Sequence, residues 1–357
     1  MTQAPRTDHH SVSVIIVTFQ SEGFVGRVLD LLLADDEGPD EIIVVDNAST
    51  DSTREIVIRP GVRLVALEEN IGFADGCHAG VDAATGGTIV FLGHDTFPRP
   101  GWIPPLVAAS ADPRIGAAMA TIEDADNPEA FNTSGGHLTY YGIAWVSDLS
   151  EPIPASEPEL VDVAFPSGAA MAIRREMWDR FGGFRQSLFM YHEDTDLGWR
   201  LRLAGLRVVR VSESRVGHDY DFSRTPAKMF WLERNRRILL ATNYRTSTRI
   251  ALAPAFLAAD VGVTIVAVRD GWIAQKMKAW KDTWRSRSLW LPDRQATASL
   301  RTIGDAPMLE TMDWSVTDIT QVDTPKGSGV ASGFFKLYLR AVLPIVRWFD
   351  RRAGFGP

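Results

Sequence analysis

With 357 residues, 45% of them hydrophobic, the chain can build one large α/β domain plus a smaller appendage, and it is too apolar for extended disorder. A formal net charge of -8 argues against a general nucleic-acid binder. The lone Cys77 cannot close an internal disulfide, which favours a reducing, cytoplasmic setting. Met1 to His10 is polar and lacks an apolar signal core, so residues 1–11 are expected to form a polar extension.

Val12 to Thr18 is almost wholly β-branched or apolar, as suits a strand buried on both faces. A helix is expected from about Gly23 to Leu33, then a second buried strand from Glu41 to Asp46. A helix running towards Ile58 follows, with Ser49 and Asp51 as cap candidates. Val62 to Ala66 reads as a third strand, Gly72 to Ala84 as a helix and Thr88 to Leu92 as a fourth strand. This alternation predicts a mostly parallel sheet flanked by helices. Ligands of such sheets meet the carboxyl ends of the strands, which here read Thr18, Asp46 and Gly93-His94-Asp95.

From Ile122 to Leu160 the pattern weakens, and an irregular insertion is expected. Regularity returns at Val161 to Phe165, followed by helices from Arg174 to Phe181 and Asp194 to Ala204 and a strand from Arg207 to Val211. Lys228 to Tyr244 is helical and basic, Ile250 to Trp284 helical and apolar, and Ser286 to Ser328 loosely ordered by its pattern. Ile250 to Val268 comes nearest to a membrane span, but Pro254 and Asp260 interrupt it, which favours a buried or interfacial helix. Phe334 to Arg352 interleaves Phe335, Leu339 and Trp348 with Lys336, Arg340 and Arg347. It fits a helix packed on its own domain as well as one lying in a membrane interface. Residues 12–225 are thus expected to form the α/β domain and residues 226–357 a mainly helical region.

Four groups of side chains can carry chemistry. Asp46, at a strand end, can accept the imide N–H of a uracil or thymine, although Asn47 to Asp51 is also a plain cluster of turn formers. Asp95 projects from a strand end where a hard cation such as Mg²⁺ or Mn²⁺ would find an oxygen ligand. Glu193, Asp194 and Asp196 open a helix, where acids stabilise the dipole but where one could also act as general base. His218 follows the next strand and could return to the site as a metal ligand.

The order of these motifs is more specific than any one of them. Ser13-Val14-Ile15-Ile16-Val17-Thr18, then Val45-Asp46-Asn47-Ala48-Ser49-Thr50-Asp51, Asn70-Ile71-Gly72-Phe73-Ala74 and Phe91-Leu92-Gly93-His94-Asp95-Thr96 resembles the family 2 glycosyltransferases of the Rossmann-like GT-A fold. Gly168 to Arg175, Gly182-Gly183-Phe184 and Glu193-Asp194-Thr195-Asp196-Leu197-Gly198-Trp199-Arg200 look like the rhamnosyl- and galactofuranosyltransferase branch. The resemblance spans Val12 to Tyr244. It implies inverting transfer of a sugar from a nucleotide-diphosphate donor to a glycan or polyprenyl-linked glycan, in cell-surface polysaccharide synthesis at the cytoplasmic face of the membrane. Thr18 and Asp46 would hold the base, and Asn70 and Gly72 would line the nucleotide pocket. Gln20, His94, Ser167 and Gly168 complete the implied donor set. Asp95 and His218 would bind Mg²⁺ or Mn²⁺. Asp194 matches the catalytic base, with Glu193 and Asp196 as acceptor or base support and His192 and Glu193 tuning its charge. The chain departs from the family in one place: Gly93 stands where an Asn or Asp usually precedes the metal acid, which leaves a cation fewer side-chain ligands.

Two rivals fail on missing motifs. No Gly-x-Gly-x-x-Gly follows the first strand, where Thr18-Phe19-Gln20-Ser21-Glu22-Gly23 stands, and no P-loop is present. A non-catalytic sugar- or nucleotide-binding protein on the same fold is the remaining alternative, and Gly93 is what favours it.

Overall fold

The computed structural model describes residues 11–219, 225–314 and 328–355. The polar run before residue 11, and residues 315–327 of the stretch expected to be loosely ordered, lie outside them. Strands β1 (Val12–Thr18), β2 (Glu41–Asp46), β3 (Val62–Ala66) and β4 (Thr88–Leu92) alternate with helices α1 (Val25–Ala34), α2 (Thr53–Val57) and α3 (Gly72–Ala83). β1 runs parallel to β2 on one side and β4 on the other, with Ile15 opposite Ile43 and Phe91. Each β1 side chain is buried, which is why the segment can be apolar at nearly every position.

Beyond β4 come β5 (Thr96–Pro98), α4 (Ile103–Ala111), β6 (Ile115–Asp124), β7 (Phe131–Thr133), β8 (Gly136–Leu138), β9 (Ala144–Val146) and β10 (Leu160–Asp162). β11 (Ala170–Arg174), α5 (Arg175–Phe181), α6 (Glu193–Leu203) and β12 (Arg207–His218) complete the α/β part. The main sheet runs β10-β12-β6-β11-β4-β1-β2-β3, with β5 on β12 and β7 on β6. β11 lies antiparallel between β4 and β6, so it reverses the chain at the centre of a mostly parallel sheet.

Two expectations need correcting here. The stretch expected to be irregular, Ile122 to Leu160, holds the end of β6, the short β7 and the β8–β9 hairpin. The Ala-rich β6 and β11 escape a propensity reading because burial in the sheet centre, not β-branching, makes them strands. β12 does not stop at Val211; after a register shift between Val211 and Arg215 it continues to His218.

The remainder is helical: α7 (Pro226–Asn243), α8 (Thr246–Arg269), α9 (Ile273–Arg285), α10 (Arg287–Leu300), α11 (Asp305–Glu310) and α12 (Ser328–Arg352). α10 and α11 occupy part of the segment expected to be loose. α12 contributes Phe335, Leu339, Val342 and Val346 to a second apolar core shared with α7, α8 and the β8–β9 hairpin. One apolar stripe of this helix thus packs on its own chain, while Phe334, Leu337, Ile345 and Trp348 stay exposed. α6 stands between the cores, sending Leu197 and Leu201 into the sheet core and Trp199 and Leu203 into the second. Its N-terminus is thereby fixed from both sides.

Candidate active site

At the β1 and β2 ends, Thr18 and Asp46 are fully buried, and the Thr18 hydroxyl lies 3.4 Å from Asp46 Oδ1. The Arg54 guanidinium pairs with Asp46 Oδ2, which also accepts from the Ser49 amide at 3.2 Å. Gln20 is exposed at a left-handed φ of 54°, and its Oε1 accepts from the Thr50 amide at 2.8 Å. Ser49 does not cap α2 as expected; its hydroxyl accepts from the Gln20 amide instead. Asn70 Oδ1 accepts from the Gly72 amide at 3.0 Å. Gly72 itself is required: at φ 91° a Cβ would come within 2.6 Å of Phe189.

The sequence reading assigned no role to Asn47. It is buried, donates to the Gly72 carbonyl at 2.9 Å and accepts from the Ile71 amide at 2.9 Å, so it ties the loop after β2 to the loop after β3. An Asn directly after a strand-end Asp was the available signal.

The β5–β12 pairing brings Asp95 and His218 together, with Asp95 Oδ1 3.4 Å from His218 Nε2. Burial alone would raise the Asp95 carboxyl, but the hydrogen bond and charge of His218, with the charge of His94, hold it below its usual value. His218 Nδ1 faces Asn132 Oδ1 at 3.2 Å, which orients the ring and which the sequence did not reveal. His94 Nδ1 is buried without a hydrogen-bond partner among the described residues. Gly93 now has a steric reason. A Cβ there would lie 2.5 Å from Thr96 Oγ1 and 2.9 Å from Asp95 Oδ1, so a larger residue would push the carboxylate aside.

From this strand end the chain of contacts leads to α6. The Gly93 amide donates to the Ala169 carbonyl at 2.8 Å, the Ser167 hydroxyl accepts from the Ala169 amide at 3.3 Å, and the Gly168 amide donates to Asp194 Oδ2 at 3.2 Å. Asp194 Oδ1 accepts from the Thr195 amide and hydroxyl. Burial raises both neighbouring carboxyls. At Asp194 the Gly168 and Thr195 hydrogen bonds moderate the rise. At Glu193 the negative charge of Asp194 adds to it, and one carboxyl oxygen has no partner among the described residues. The pair therefore ionises first at Asp194 and keeps its second proton on Glu193.

Two expectations for this turn change. Asp196 is not available as acceptor or base support: its oxygens are taken by Arg185 at 2.6 Å, Arg200 at 2.6 Å and Asn243 at 2.9 Å, in full burial. His192 cannot tune Asp194 by charge, because burial and Arg236 push its ring down to about 4 and it is neutral at pH 7.

The loop before α6 is strained and pinned. Phe189, Tyr191 and His192 all have φ between 64° and 68°, and such backbone costs about 1–3 kcal/mol per residue unless its surroundings enforce it. Asn235 Nδ2 of α7 supplies that enforcement, contacting the carbonyls of Leu188, Met190 and Tyr191 at 2.8–2.9 Å. Arg234 donates to the Ser187 carbonyl, and Trp231 stacks on Phe189 at 4.7 Å. The sequence reading took Lys228 to Tyr244 as a basic helix and missed this role. The available signal is that apolar residues are not confined to one face of the helix, as suits a helix packed on several sides.

Comparison with known proteins decides the family. Residues 13–181 match the model described as "Glycosyl transferase family 2". Over 240 residues the chain is 30% identical to an N-acetylglucosaminyl-diphospho-decaprenol L-rhamnosyltransferase of Mycobacterium tuberculosis, covering 60% of this chain and 78% of the relative. The chain belongs to glycosyl transferase family 2. It is a glycosyltransferase of the GT-A fold, and solved structures bear out that architecture. S. aureus TarS 1-349 with UDP-GlcNAc superposes with a TM-score of 0.51 at 15% identity, covering 95% of this chain and 92% of that one. A mannosyltransferase of Pyrobaculum calidifontis, solved with GDP-Man and Mn²⁺, gives 0.50 at 19% identity, covering 83% and 87%. The first match extends the fold likeness through the C-terminal helices. Thr18, Asp46 and Asp95 thus stand at the carboxyl ends of β1, β2 and β4, and Asp194 is tied to the same edge from α6 through the Gly168 turn.

Proposed function

We propose that this enzyme is an inverting transferase that moves a sugar from a UDP- or dTDP-linked donor, with galactofuranose and rhamnose as the leading candidates. The acceptor is a hydroxyl of a glycan or polyprenyl-linked glycan at the cytoplasmic face of the membrane, in cell-surface polysaccharide synthesis. The observation that carries this reading is the Asp194 carboxyl, fixed at the start of α6 by the Gly168 amide beside Glu193, whose carboxyl burial and the Asp194 charge push up further than Asp194's own. The M. tuberculosis relative, by its name, adds rhamnose to a diphospho-decaprenol-linked sugar, which supports a lipid-linked acceptor.

Asp95 and His218 suit Mg²⁺ or Mn²⁺: they offer an oxygen and a nitrogen donor 3.4 Å apart, with Asp95 held ionised. Bound there, the ion would neutralise charge on the diphosphate leaving group. Asp194 accepts the acceptor hydroxyl proton as that oxygen attacks the anomeric carbon, and the nucleoside diphosphate departs from the opposite face. Thr18, Gln20 and Asn70 border the nucleotide, and Asp46 meets the base once Arg54 swings aside. Asp196 positions α6 without touching substrate.

Replacing Asp194 by Asn keeps shape and removes basicity. Donor affinity by calorimetry should persist while single-turnover transfer falls roughly two to four orders of magnitude. Transfer near the wild-type rate would move the base to Glu193. A thermal-shift screen of nucleotide sugars with Mn²⁺ identifies the donor, since a bound ligand raises apparent stability.

A further inference from the structure

The second region leaves one face uncovered. On α8, Ile250, Leu257, Val261, Ile265 and Val268 form a single stripe, each more than half exposed. Beside it on α9, Met277, Trp280 and Trp284 are exposed at 57%, 44% and 71%, and the adjoining α9 stripe is Lys278, Lys281 and Arg285. Between α7, α8, α9 and α10 opens a cleft of about 700 Å³. Its walls include Phe256, Leu257, Trp280, Trp284 and Trp290, and Arg249 lies within it. Arg249 is half-buried, has no acidic partner among the described residues, and has Arg294 as its charged neighbour. Residues 226–357 carry 20 Lys and Arg against 11 Asp and Glu, in a chain that is negative overall.

An apolar stripe rimmed by tryptophan and flanked by basic residues matches the boundary between acyl chains and anionic head groups. We propose that α8 and α9 form the membrane-binding face, and that the cleft admits an anionic phospholipid of the bilayer, its phosphate at Arg249 and its chain against Trp280 and Trp284. α8 is also the one helix among the described residues long and apolar enough to span a membrane. It lies on the surface instead: Asp260 near its middle pairs with Lys276 at 2.9 Å and with Arg237, and Leu252, Ala255 and Ala259 are buried in the second core. The inference does not depend on which sugar is transferred, or on transfer at all.

The test is co-sedimentation of the full chain with phosphatidylcholine vesicles and with vesicles mixed with phosphatidylglycerol. The wild type should prefer the mixed vesicles and release in high salt. Trp280→Ser with Trp284→Ser, both exposed and so compatible with folding, should weaken sedimentation at least tenfold, with the circular dichroism melt unchanged. Arg249→Gln should weaken binding to the mixed vesicles about fivefold, the worth of one basic residue at such a surface. Leu337→Ser on α12 should change nothing. Wild-type binding by the double tryptophan variant, no sedimentation of the wild type, or retention through a high-salt and carbonate wash would each overturn the membrane face. An unchanged lipid preference in Arg249→Gln would overturn the head-group site.

Discussion

The two regions of this enzyme differ in charge, in architecture and in what they give the site. Residues 1–225 hold 17 Lys and Arg against 34 Asp and Glu, whereas residues 226–357 hold 20 against 11. The acidic sheet region supplies each side chain assigned to chemistry: Asp46, Asp95, Glu193, Asp194 and His218. The basic helical region supplies none, yet it holds the turn that carries Glu193 and Asp194, through Asp196 and the loop before α6. Arg185 joins the regions, pairing with Asp196 on one side and with Thr242 and Thr297 on the other, while Asn243 and Asn235 reach back from α7. The helices are therefore a support for the turn that opens α6, and a truncation that removed them would be expected to cost more than the proposed membrane contact.

The largest test of that division is Asp196→Ala. It leaves Arg185 and Arg200 facing each other in full burial without their shared carboxylate. Breaking a buried pair from one side typically costs about 3–5 kcal/mol, so the urea midpoint should fall steeply. A variant of near wild-type stability would mean that α6 is held by its apolar contacts alone and that the ionic link between the regions is incidental.

Asn235→Ala should act less on stability and more on turnover. It removes a side chain that holds three carbonyls of a strained loop, at roughly 0.5–1.5 kcal/mol per hydrogen bond. Transfer should fall about tenfold or more with the helical signal intact and donor affinity only weakly changed. Unchanged turnover would show that the loop is held from the sheet side, through the Ala74 amide donating to the Phe189 carbonyl.

The same division explains what the sequence made legible. β1, β2 and β4 announced themselves because strands buried on both faces need continuous apolar runs, and the polar residues at their ends marked the site edge, whereas β3 at the sheet edge is only partly buried. β6 and β11 did not, because Ala-rich segments in a sheet centre carry neither alternation nor β-branching. Asp95 and His218 are 123 residues apart in sequence. Only the order of motifs suggested that they meet, and the β5–β12 pairing is what joins them. Asp196 misled for a different reason: an acid in a Glu-Asp-x-Asp run looks catalytic until Arg185, Arg200 and Asn243 are seen around it. Long-range polar burial of that kind leaves no local pattern.

Removing the metal should also separate the regions. Asp95→Ala, or excess EDTA on the wild type, should abolish donor turnover while vesicle binding through α8 and α9 persists. Full activity in EDTA would refute the cation and make Asp95–His218 a plain hydrogen-bonded pair. His218→Ala should be milder, raising the Mn²⁺ concentration for half-activity without unfolding the sheet.

The smallest expected effect at neutral pH belongs to Glu193→Gln, and its value lies in the pH profile. Glu193 is raised in the folded enzyme by burial and by Asp194, so folding retains a proton that the unfolded chain gives up near its ordinary value of about 4.3. Stability from this group is fully present below that value and is lost as pH rises through the folded value. Gln has no proton to lose, so the variant's urea midpoint should stay flat where the wild type's declines, leaving the variant the more stable at alkaline pH. Transfer should be nearly unchanged wherever Glu193 keeps its proton, because Gln resembles the protonated Glu. The acid limb of the rate profile, set by protonation of Asp194, should also stay in place, because Asp194 titrates beside a neutral neighbour in both proteins. If Asp194 instead held the shared proton and Glu193 were the carboxylate, Glu193→Gln would abolish transfer and shift that limb. A single variant measured across pH thus tells which of the two adjacent acids is the base.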